Sequence, residues 1–497
     1  MLQGTITSNE ESMKHLHRKL QKHSENKWAV LALLAIAQFM VVLDVSIVNV
    51  ALPSLSKDLH FSPNNLQWVV TAYTLTFGGL LLLGGRAADI FGRKKLFTIA
   101  VALFSVASLL CGLAQTETQL IIARAIQGMT GALMSPVALS IVLSEFREGK
   151  ERNKAMGVWG GVAAGGGAVG GLLGGILTEY LNWRWNFFVN VPIGLIVAGM
   201  SMSLIPAHLG EETKRPKLDV FGAVFATSGL MSLVYGLSRA PIVGWGSNEV
   251  WGFIGAGAAL LVLFVLNERR TKEPLMPLDI FKIRNVAGGN LAFLGIACSL
   301  FSMFFFMTLY LQNVLGYSPI KAGISFLPIT IIIGATSAFV SSMVGKIGYK
   351  PFMLAGPLLL ATGLFTISAT MKVGGTYWAN VFPGLALCAL GMGLTFVSGT
   401  LAATSGVPKH FSGLAAGILN TSQQVGGSIG LAILSAVAFS TVKNHIASHV
   451  SPLVAQVNGY QAGLRVGACL ALFAAVVVLL VIKNHKVDAH DASAAMV

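Results

Sequence analysis

The sequence predicts an all-α polytopic membrane protein with fourteen spanning helices. Three observations lead there. Of 497 residues, 54% are hydrophobic and 11% charged, against about 25% charged in soluble domains. Fourteen apolar runs reach or approach the roughly 20 residues that a spanning helix needs. Fifty-six glycines without a G-X-Y period suit helices packed backbone to backbone rather than collagen or a disordered tract. The loops are too short for a folded soluble domain, which excludes an ordinary cytosolic enzyme and leaves any function among the helices.

The elements follow in order. Residues 1–27 form a basic tail, and Met13, Leu16 and Leu20 lie at helical spacing in it, as in a short helix on an anionic leaflet or in a solvated tail. The apolar run behind it is too long for a signal-peptide core and lacks an A-x-A-like site. A first six-helix half, 28–206, has spans near 28–50, 66–84, 96–114, 118–143, 155–178 and 187–206. An insert, 207–286, carries two more near 219–238 and 250–267. A second six-helix half, 287–482, has spans near 287–312, 319–343, 351–371, 377–402, 412–440 and 462–482, followed by the tail 483–497.

An internal repeat supports this division. Phe61-Ser62-Pro63 reappears as Tyr317-Ser318-Pro319, an offset of 256, and Gly92 and Lys94 match Gly348 and Lys350 at the same offset. Gly128-Met129 recurs as Gly391-Met392, 263 residues on. Two six-helix halves with a site between them are the plan of many secondary transporters.

The net charge of +14 is placed by topology rather than by nucleic acid. Of 34 Lys and Arg, 26 fall in the tails and in the loops after helices 2, 4, 6, 8, 10 and 12, 7 on the opposite side, and Arg124 inside a helix. The positive-inside rule then puts both termini in the cytoplasm, on a multi-pass protein of the plasma or inner membrane. Cys111, Cys298, Cys388 and Cys469 lie in four different helices without CxxC spacing, as packing residues do.

Two ionisable residues lie well inside spans, Asp44 in helix 1 and Arg124 in helix 4. A charge there costs about 3 kcal/mol, so such residues pair or carry function. Both are expected at similar depths, roughly 13 and 9 Å from the non-terminal end at 1.5 Å per residue. A carboxylate that alternates between a cation-paired and a protonated state couples a proton to a conformational change, whereas a permanent ion pair would be structural. Helix 5 packs ten glycines between Gly157 and Gly175, with the ladder Gly166, Gly170, Gly174, a spacing that brings backbones close. Its Gly165-x-Gly167-x-x-Gly170 has no strand before it and is not a dinucleotide site, and the absence of GxxxxGK[ST] removes ATP-driven transport by this chain. Helix 13 carries Asn420, Ser422, Gln423 and Gln424, and helix 9 carries Phe301, Phe304, Phe305, Phe306 and Tyr310. Aromatic walls with few polar groups suit an apolar ligand, and Phe304, Tyr310, Asn420, Gln423 and Gln424 are the candidate cavity residues. No buried carboxylate pair, metal-ligand cluster or nucleophile with a base is legible, which argues against an enzyme.

Four stretches, LDVSIVNVALP (Leu43 to Pro53), GRAADIFGRKK (Gly85 to Lys95), RAIQGMTGA (Arg124 to Ala132) and NWRWNFFVNVPIG (Asn182 to Gly194), resemble the major facilitator superfamily, in its group of drug:proton antiporters with 14 transmembrane helices. The likeness runs from about 28 to 482. It implies the major facilitator fold. It further implies a gating loop of Gly85, Asp89, Gly92, Arg93 and Lys94 that meets Glu145 and the start of helix 11 at Lys350-Pro351. Arg124, Gln127 and Gly128 match the helix 4 motif linked to proton coupling, and Asp44 matches the helix 1 acidic position. Gly166, Gly170, Gly174 and Gly175 match the antiporter glycines of helix 5, with Gly170-Gly171 where that motif has a Gly-Pro pair.

The expected function is proton-coupled secondary export of amphipathic drugs or natural products by alternating access. No cofactor, metal, ATP or nucleic acid takes part, the partners are protons, substrate and the lipid bilayer, and the transporter works as a monomer. The alternatives are a transporter dedicated to one metabolite and, more remotely, a membrane enzyme, scaffold or sensor. With no acidic residue in helices 9 to 14, neutral, zwitterionic or weakly charged substrates are expected over dications.

Overall fold

The computed structural model describes residues 2–146, 150–206, 219–407 and 412–484. Side chains of 2–26 and of residues 89, 150, 153, 163, 164, 168 and 412 lie outside the described set. Fourteen helices are long and apolar enough to span a bilayer among the described residues. They are α1 (Lys27–Asp58), α2 (Pro63–Ala88), α3 (Arg93–Leu113), α4 (Glu117–Glu145), α5 (Lys154–Tyr180), α6 (Trp185–Leu204), α7 (Val220–Val243), α8 (Asn248–Arg270), α9 (Arg284–Val314), α10 (Pro319–Ile347), α11 (Lys350–Thr370), α12 (Phe382–Thr404), α13 (Gly413–Ala447) and α14 (Pro452–Val481). Residues 2–26 continue the first helix backwards. The last span begins ten residues earlier than its hydropathy suggests. Gln456, Asn458, Gln461 and Arg465 dilute the apolar signal there, while Ser451 followed by Pro452 starts the helix.

The 256-residue repeat has a conformational counterpart. Ser62 and Ser318 both sit at a helix N-cap with proline next. Gly92 and Gly348 both turn the chain between helices at positive φ, +84° and +87°, where a side chain would be strained. The third match, Gly128 with Gly391, is not equivalent in packing: Gly128 lies against Tyr73 and Thr76 of α2, and Gly391 against Gly356 and Leu360 of α11.

Since α1 starts and α14 ends on one side, the bundle has a terminal end and a far end. Helices α1–α6 pack among themselves, as do α9–α14, while α7 and α8 pair with each other, and α7 also packs on α2 and α13. One apolar core runs from the far half of α1 and α2, with Ile47, Leu52, Leu55 and Val69, into α9 and the second set of helices. At the terminal end the first six helices keep a core of their own, around Leu34, Phe97, Val142 and Trp159.

The sets also meet where Gln312 Nε2 of α9 donates to the Val50 carbonyl of α1 at 2.8 Å, and the two longer seams differ. Along α5–α10, contact is confined to the far end: Gly171 meets Gly323, Gly175 meets Ile320, and Glu179 accepts the Ile320 N–H at 3.0 Å. Gly157 lies eighteen residues, five full turns, before Gly175 and so on the same helix face, yet it is exposed and has nothing within reach of a Cβ. The α5–α10 seam is therefore closed at the far end and open at the terminal end. The α2–α13 seam is closed along its length, by Thr74 bonded to Ser428 at 2.6 Å, Gly78 against Gln424, and Gly417 against Leu82 near the terminal end. Helix α7 lies across it, packing Leu230 and Val234 on Trp68, Ala72, Leu75 and Ala432, with Trp68 donating to Ser238 at 3.2 Å.

Candidate functional site

Four helices of the first set converge on Asp44. Arg124 and Gln127, one turn apart on α4, share a face directed at α1. Asn190 arrives on α6, after the short turn Trp185–Phe188. Ser108 comes from α3. Asp44, Ser108, Gln127 and Asn190 are fully buried and Arg124 is 1% exposed, so no water shell is left to any of them.

The bonds account for almost every polar atom. Arg124 Nη1 donates to Asp44 Oδ2 at 2.5 Å and to Gln127 Oε1 at 2.7 Å, while its Nε donates to the Val69 carbonyl at 2.9 Å. Gln127 Nε2 donates to Asp44 Oδ1 at 2.8 Å and to Ser108 Oγ at 3.0 Å. Asn190 Nδ2 donates to Asp44 Oδ1 and to Ser108 Oγ, both at 3.1 Å. The Ser108 hydroxyl donates to the Phe187 carbonyl at 3.1 Å. The guanidinium lies over the Tyr73 ring, 4.3 Å from its centroid, a cation–π contact suited to a desolvated charge.

This arrangement has a chemical consequence. Every hydrogen-bond partner of Asp44 is a donor, so a proton added to Oδ2 competes with the Arg124 N–H for that oxygen, and an unmade buried hydrogen bond costs about 1–3 kcal/mol. The relief lies in moving α1, α4 or α6 relative to one another. Removing one partner of such a buried pair is costly, about 3–5 kcal/mol, because it strands the other charge.

The other expected site residues are distributed as follows. Gly166, Gly170 and Gly174 all face α1, against Val42, Ser46 and Ile47, whereas Gly175 faces α10. Gly128 sits where a Cβ would meet the Tyr73 carbonyl at 2.3 Å, which lets α4 approach α2 closely enough for Arg124 to reach Val69. At the terminal end Gly85 lies near Pro136, Gly92 forms the turn, Arg93 starts α3, and Lys94 donates to the Met202 carbonyl at 2.7 Å. The Asp89 side chain is outside the described residues. Glu145, half-buried, makes no side-chain hydrogen bond to a described residue, and the Lys350 N–H at the start of α11 is capped by Asn484 at 3.1 Å.

Among the cavity candidates, Phe304 is half-buried against Phe326 at 5.7 Å. Asn420 is exposed and Gln423 half-buried, and neither makes a hydrogen bond to a described residue. Gln424 packs on Gly78 with its Oε1 buried and unpartnered. Tyr310 does not join them. It is fully buried in the second-set core, and its hydroxyl is fixed on the Lys372 carbonyl at 2.8 Å. Phe305 and Phe306 are buried in the same core. Cys469 is exposed, while Cys111, Cys298 and Cys388 are buried.

Sequence reasoning missed Ser108, Tyr73 and Asn190. The first two are ordinary helix residues by type, and Asn190 stood inside the NWRWNFFVNVPIG stretch without a role. It also found no buried carboxylate pair, and the structure corrects this: Asp219 and Glu268 are both buried and lie side by side over Gly222.

Comparison with known proteins places the chain. The puromycin resistance protein pur8 of Streptomyces alboniger is 38% identical over 93% of this chain and 92% of its own length. The cephamycin export protein CmcT of Amycolatopsis lactamdurans is 38% identical over 84% and 87%. A crystal structure of a bacterial homolog of the human lysosomal transporter Spinster, inward-facing and unoccupied, shares the fold with a TM-score of 0.67 at 16% identity, over 92% of this chain and 97% of that one. The family model of the Major Facilitator Superfamily matches residues 34–431, and the chain belongs to that superfamily of membrane transporters and is not an enzyme.

Proposed function

We propose that the chain is a proton-coupled secondary active exporter of amphipathic drugs or natural products, seated in the plasma or inner membrane with both termini in the cytoplasm. The bias of Lys and Arg toward the terminal end supports this orientation, and the names of the relatives support export of antibiotics. The terminal opening then faces the cytoplasm, and the structure is the inward-facing state of an alternating-access cycle. Residues 28–206 and 287–482 are the moving halves, 207–286 is the insert, and the transporter works as a monomer.

The observation that carries the coupling is the sealed cluster of Asp44, Arg124, Gln127 and Asn190. Asp44 releases its proton to the cytoplasm as substrate enters and takes one from outside as substrate leaves. Gly85, Asp89, Gly92, Arg93, Lys94 and Glu145 close the terminal end in the opposite state. Phe304, Asn420, Gln423 and Gln424 stand toward the substrate.

Purified protein in liposomes with an imposed pH gradient tests this. Substrate flux should follow the gradient, and Asp44→Asn should abolish gradient-driven flux in protein that still inserts and folds. Undiminished flux in that variant removes the coupling claim. A second reading, an exporter of one natural product, is favoured by relatives named for single antibiotics. Growth of expressing cells across a panel of unrelated toxic compounds separates the two.

A further inference from the structure

The inserted hairpin carries a polar device at its base, remote in sequence from Asp44. Asp219 is the N-cap of α7, its Oδ1 accepting the Gly222 N–H at 2.8 Å, and its Oδ2 accepts Asn267 Nδ2 at 2.7 Å. Glu268, in the last turn of α8, accepts the Met276 N–H on Oε2 at 2.9 Å. The two residues are 6% and 4% exposed. A Cβ on Gly222 would fall 2.6 Å from Asp219 Oδ2 and 2.8 Å from Glu268 Oε1. Both oxygens thus face one small space, which exists because the residue there is glycine.

That space lacks one partner. Glu268 Oε1 is buried without a hydrogen bond, and neither carboxylate forms an ion pair among the described residues. The neighbouring charges point elsewhere. Arg269, Arg270 and Lys272 are exposed. Arg86, from α2, donates to the Glu273 carbonyl at 2.9 Å. Asp279 and Lys282 pair with each other at 2.6 Å on the surface. Lys214, Arg215 and Lys217 lie outside the described residues. A metal ion of the calcium type needs about six oxygens, and no group of three metal-binding side chains occurs among the described residues. A single proton meets the need. Carried on Glu268 Oε1 and directed at Asp219 Oδ2, it satisfies the orphan oxygen and removes one of two like charges.

We propose that Asp219 and Glu268 bind one shared proton, a second protonation site that ties the insert to the terminal ends of α2 and α13. The tie runs through Glu268 Oε2 to Met276, which packs with Ile280, Phe281 and Ile283 on Leu82 of α2 and on Leu414, Ala415 and Ile418 of α13. Protonation takes one proton from water and changes no covalent bond between heavy atoms. Loss of the proton leaves two anions in a dry space and loosens this strap. The site stands whether or not Asp44 drives transport.

Infrared spectroscopy of the full-length protein in lipid nanodiscs tests it, with Glu268→Gln, Asp44→Asn and wild type compared in sodium-free buffer at neutral pH. The glutamine side chain of the first variant would copy the protonated acid, its amide donating to Asp219 while its oxygen still accepts from Met276. The expected result is a protonated-carboxyl band of one group that persists in D44N and is lost in E268Q. Thermal unfolding against pH gives a second measurement: E268Q should match wild type only at pH acid enough to protonate a glutamate in the unfolded chain, below about 4, and outlast it as pH rises from there, because the unfolded wild-type chain ionises Glu268 freely while the folded one holds the proton. The proposal is overturned if wild type lacks the band, if E268Q keeps it, or if the unfolding curves stay parallel across the pH range. Disappearance of the wild-type band when sodium replaces choline would also overturn it, in favour of a metal cation.

Discussion

Gly323→Ala should shift the transporter away from the conformation seen here. A Cβ at that position falls 2.3 Å from the carbonyl oxygen of Gly171 and 3.0 Å from its carbonyl carbon. Both are backbone atoms and cannot rotate aside. With ordinary contact near about 3.4 Å, α10 must retreat from α5 by about 1 Å, and overpacking of this kind costs about 1–3 kcal/mol. The far ends touch only while the α5–α10 seam is closed there, so the penalty falls on this state alone. A penalty of about 2 kcal/mol shifts the balance between access states roughly 30-fold.

Spin labels at Val158 on α5 and Phe339 on α10, both exposed in the terminal half, report the change as a distance distribution. Gly323→Ala should enrich the shorter distances as the terminal end closes. Gly157→Ala, where nothing lies within 4 Å of the added carbon, is the control and should leave the distribution alone. Gly170→Ala presses on Ser46 at 2.5 Å inside the first set, so it should lower thermal stability without moving the ratio. An unchanged distribution in Gly323→Ala, or an equal change in Gly157→Ala, refutes the assignment of this seam as state-dependent.

Two further outcomes follow from the charges. Asn190→Leu removes a donor to Asp44 and to Ser108, a bond to a charged group worth about 1.5–3 kcal/mol. It should lower the unfolding midpoint and reduce gradient-driven flux, and a variant with wild-type values on both counts would show that Asn190 is a bystander. Residues 287–482 contain no Asp or Glu, so divalent quaternary cations should be exported less well than neutral or zwitterionic amphiphiles in cells expressing the chain. Dications ranking as the best substrates would contradict this.

The helices were legible because each must supply its own apolar run, a local property of about 20 residues. The clearest mismatch, the start of α14, arose where four polar residues interrupt that run and the Ser-Pro start signal was the better guide. Asp44 and Arg124 were legible for the same local reason, since a charge within an apolar run is conspicuous wherever the chain later folds. Ser108 and Tyr73 were not, because a serine or tyrosine in a helix is unremarkable until its neighbour is known. Glu268 was hidden differently. Next to Arg269 and Arg270 it reads as the polar end of a helix, and its pairing with Asp219 across 49 positions is a property of the hairpin alone. Tyr310 shows the converse: an aromatic type on the same helix grouped it with Phe304, but its hydroxyl is fixed on the Lys372 carbonyl and its ring is buried in the second-set core.

The distribution of buried acids bears on how the parts divide the work. Asp44, Asp219 and Glu268 are the buried acidic residues among the described ones, and all precede the second set of helices. The second set of helices, 287–482, contributes no Asp or Glu to either seam. Those seams are unequal. At α5–α10 the joining atoms are glycine backbones and one carboxylate-to-amide bond at the far end, contacts that separate without stranding a charge. At α2–α13 the joint extends to Leu82 and Gly417 and is overlaid by α7, so opening it must also strip apolar surface from the insert. In a bilayer the cost of parting Leu230 and Val234 from Trp68, Ala72 and Leu75 is lost van der Waals packing rather than exposure to water, since lipid tails are as apolar as leucine. The insert adds no charge to the Asp44 cluster and overlies the α2–α13 side, so the expected place for the sets to part is along α5–α10, which a distance measurement across that seam checks.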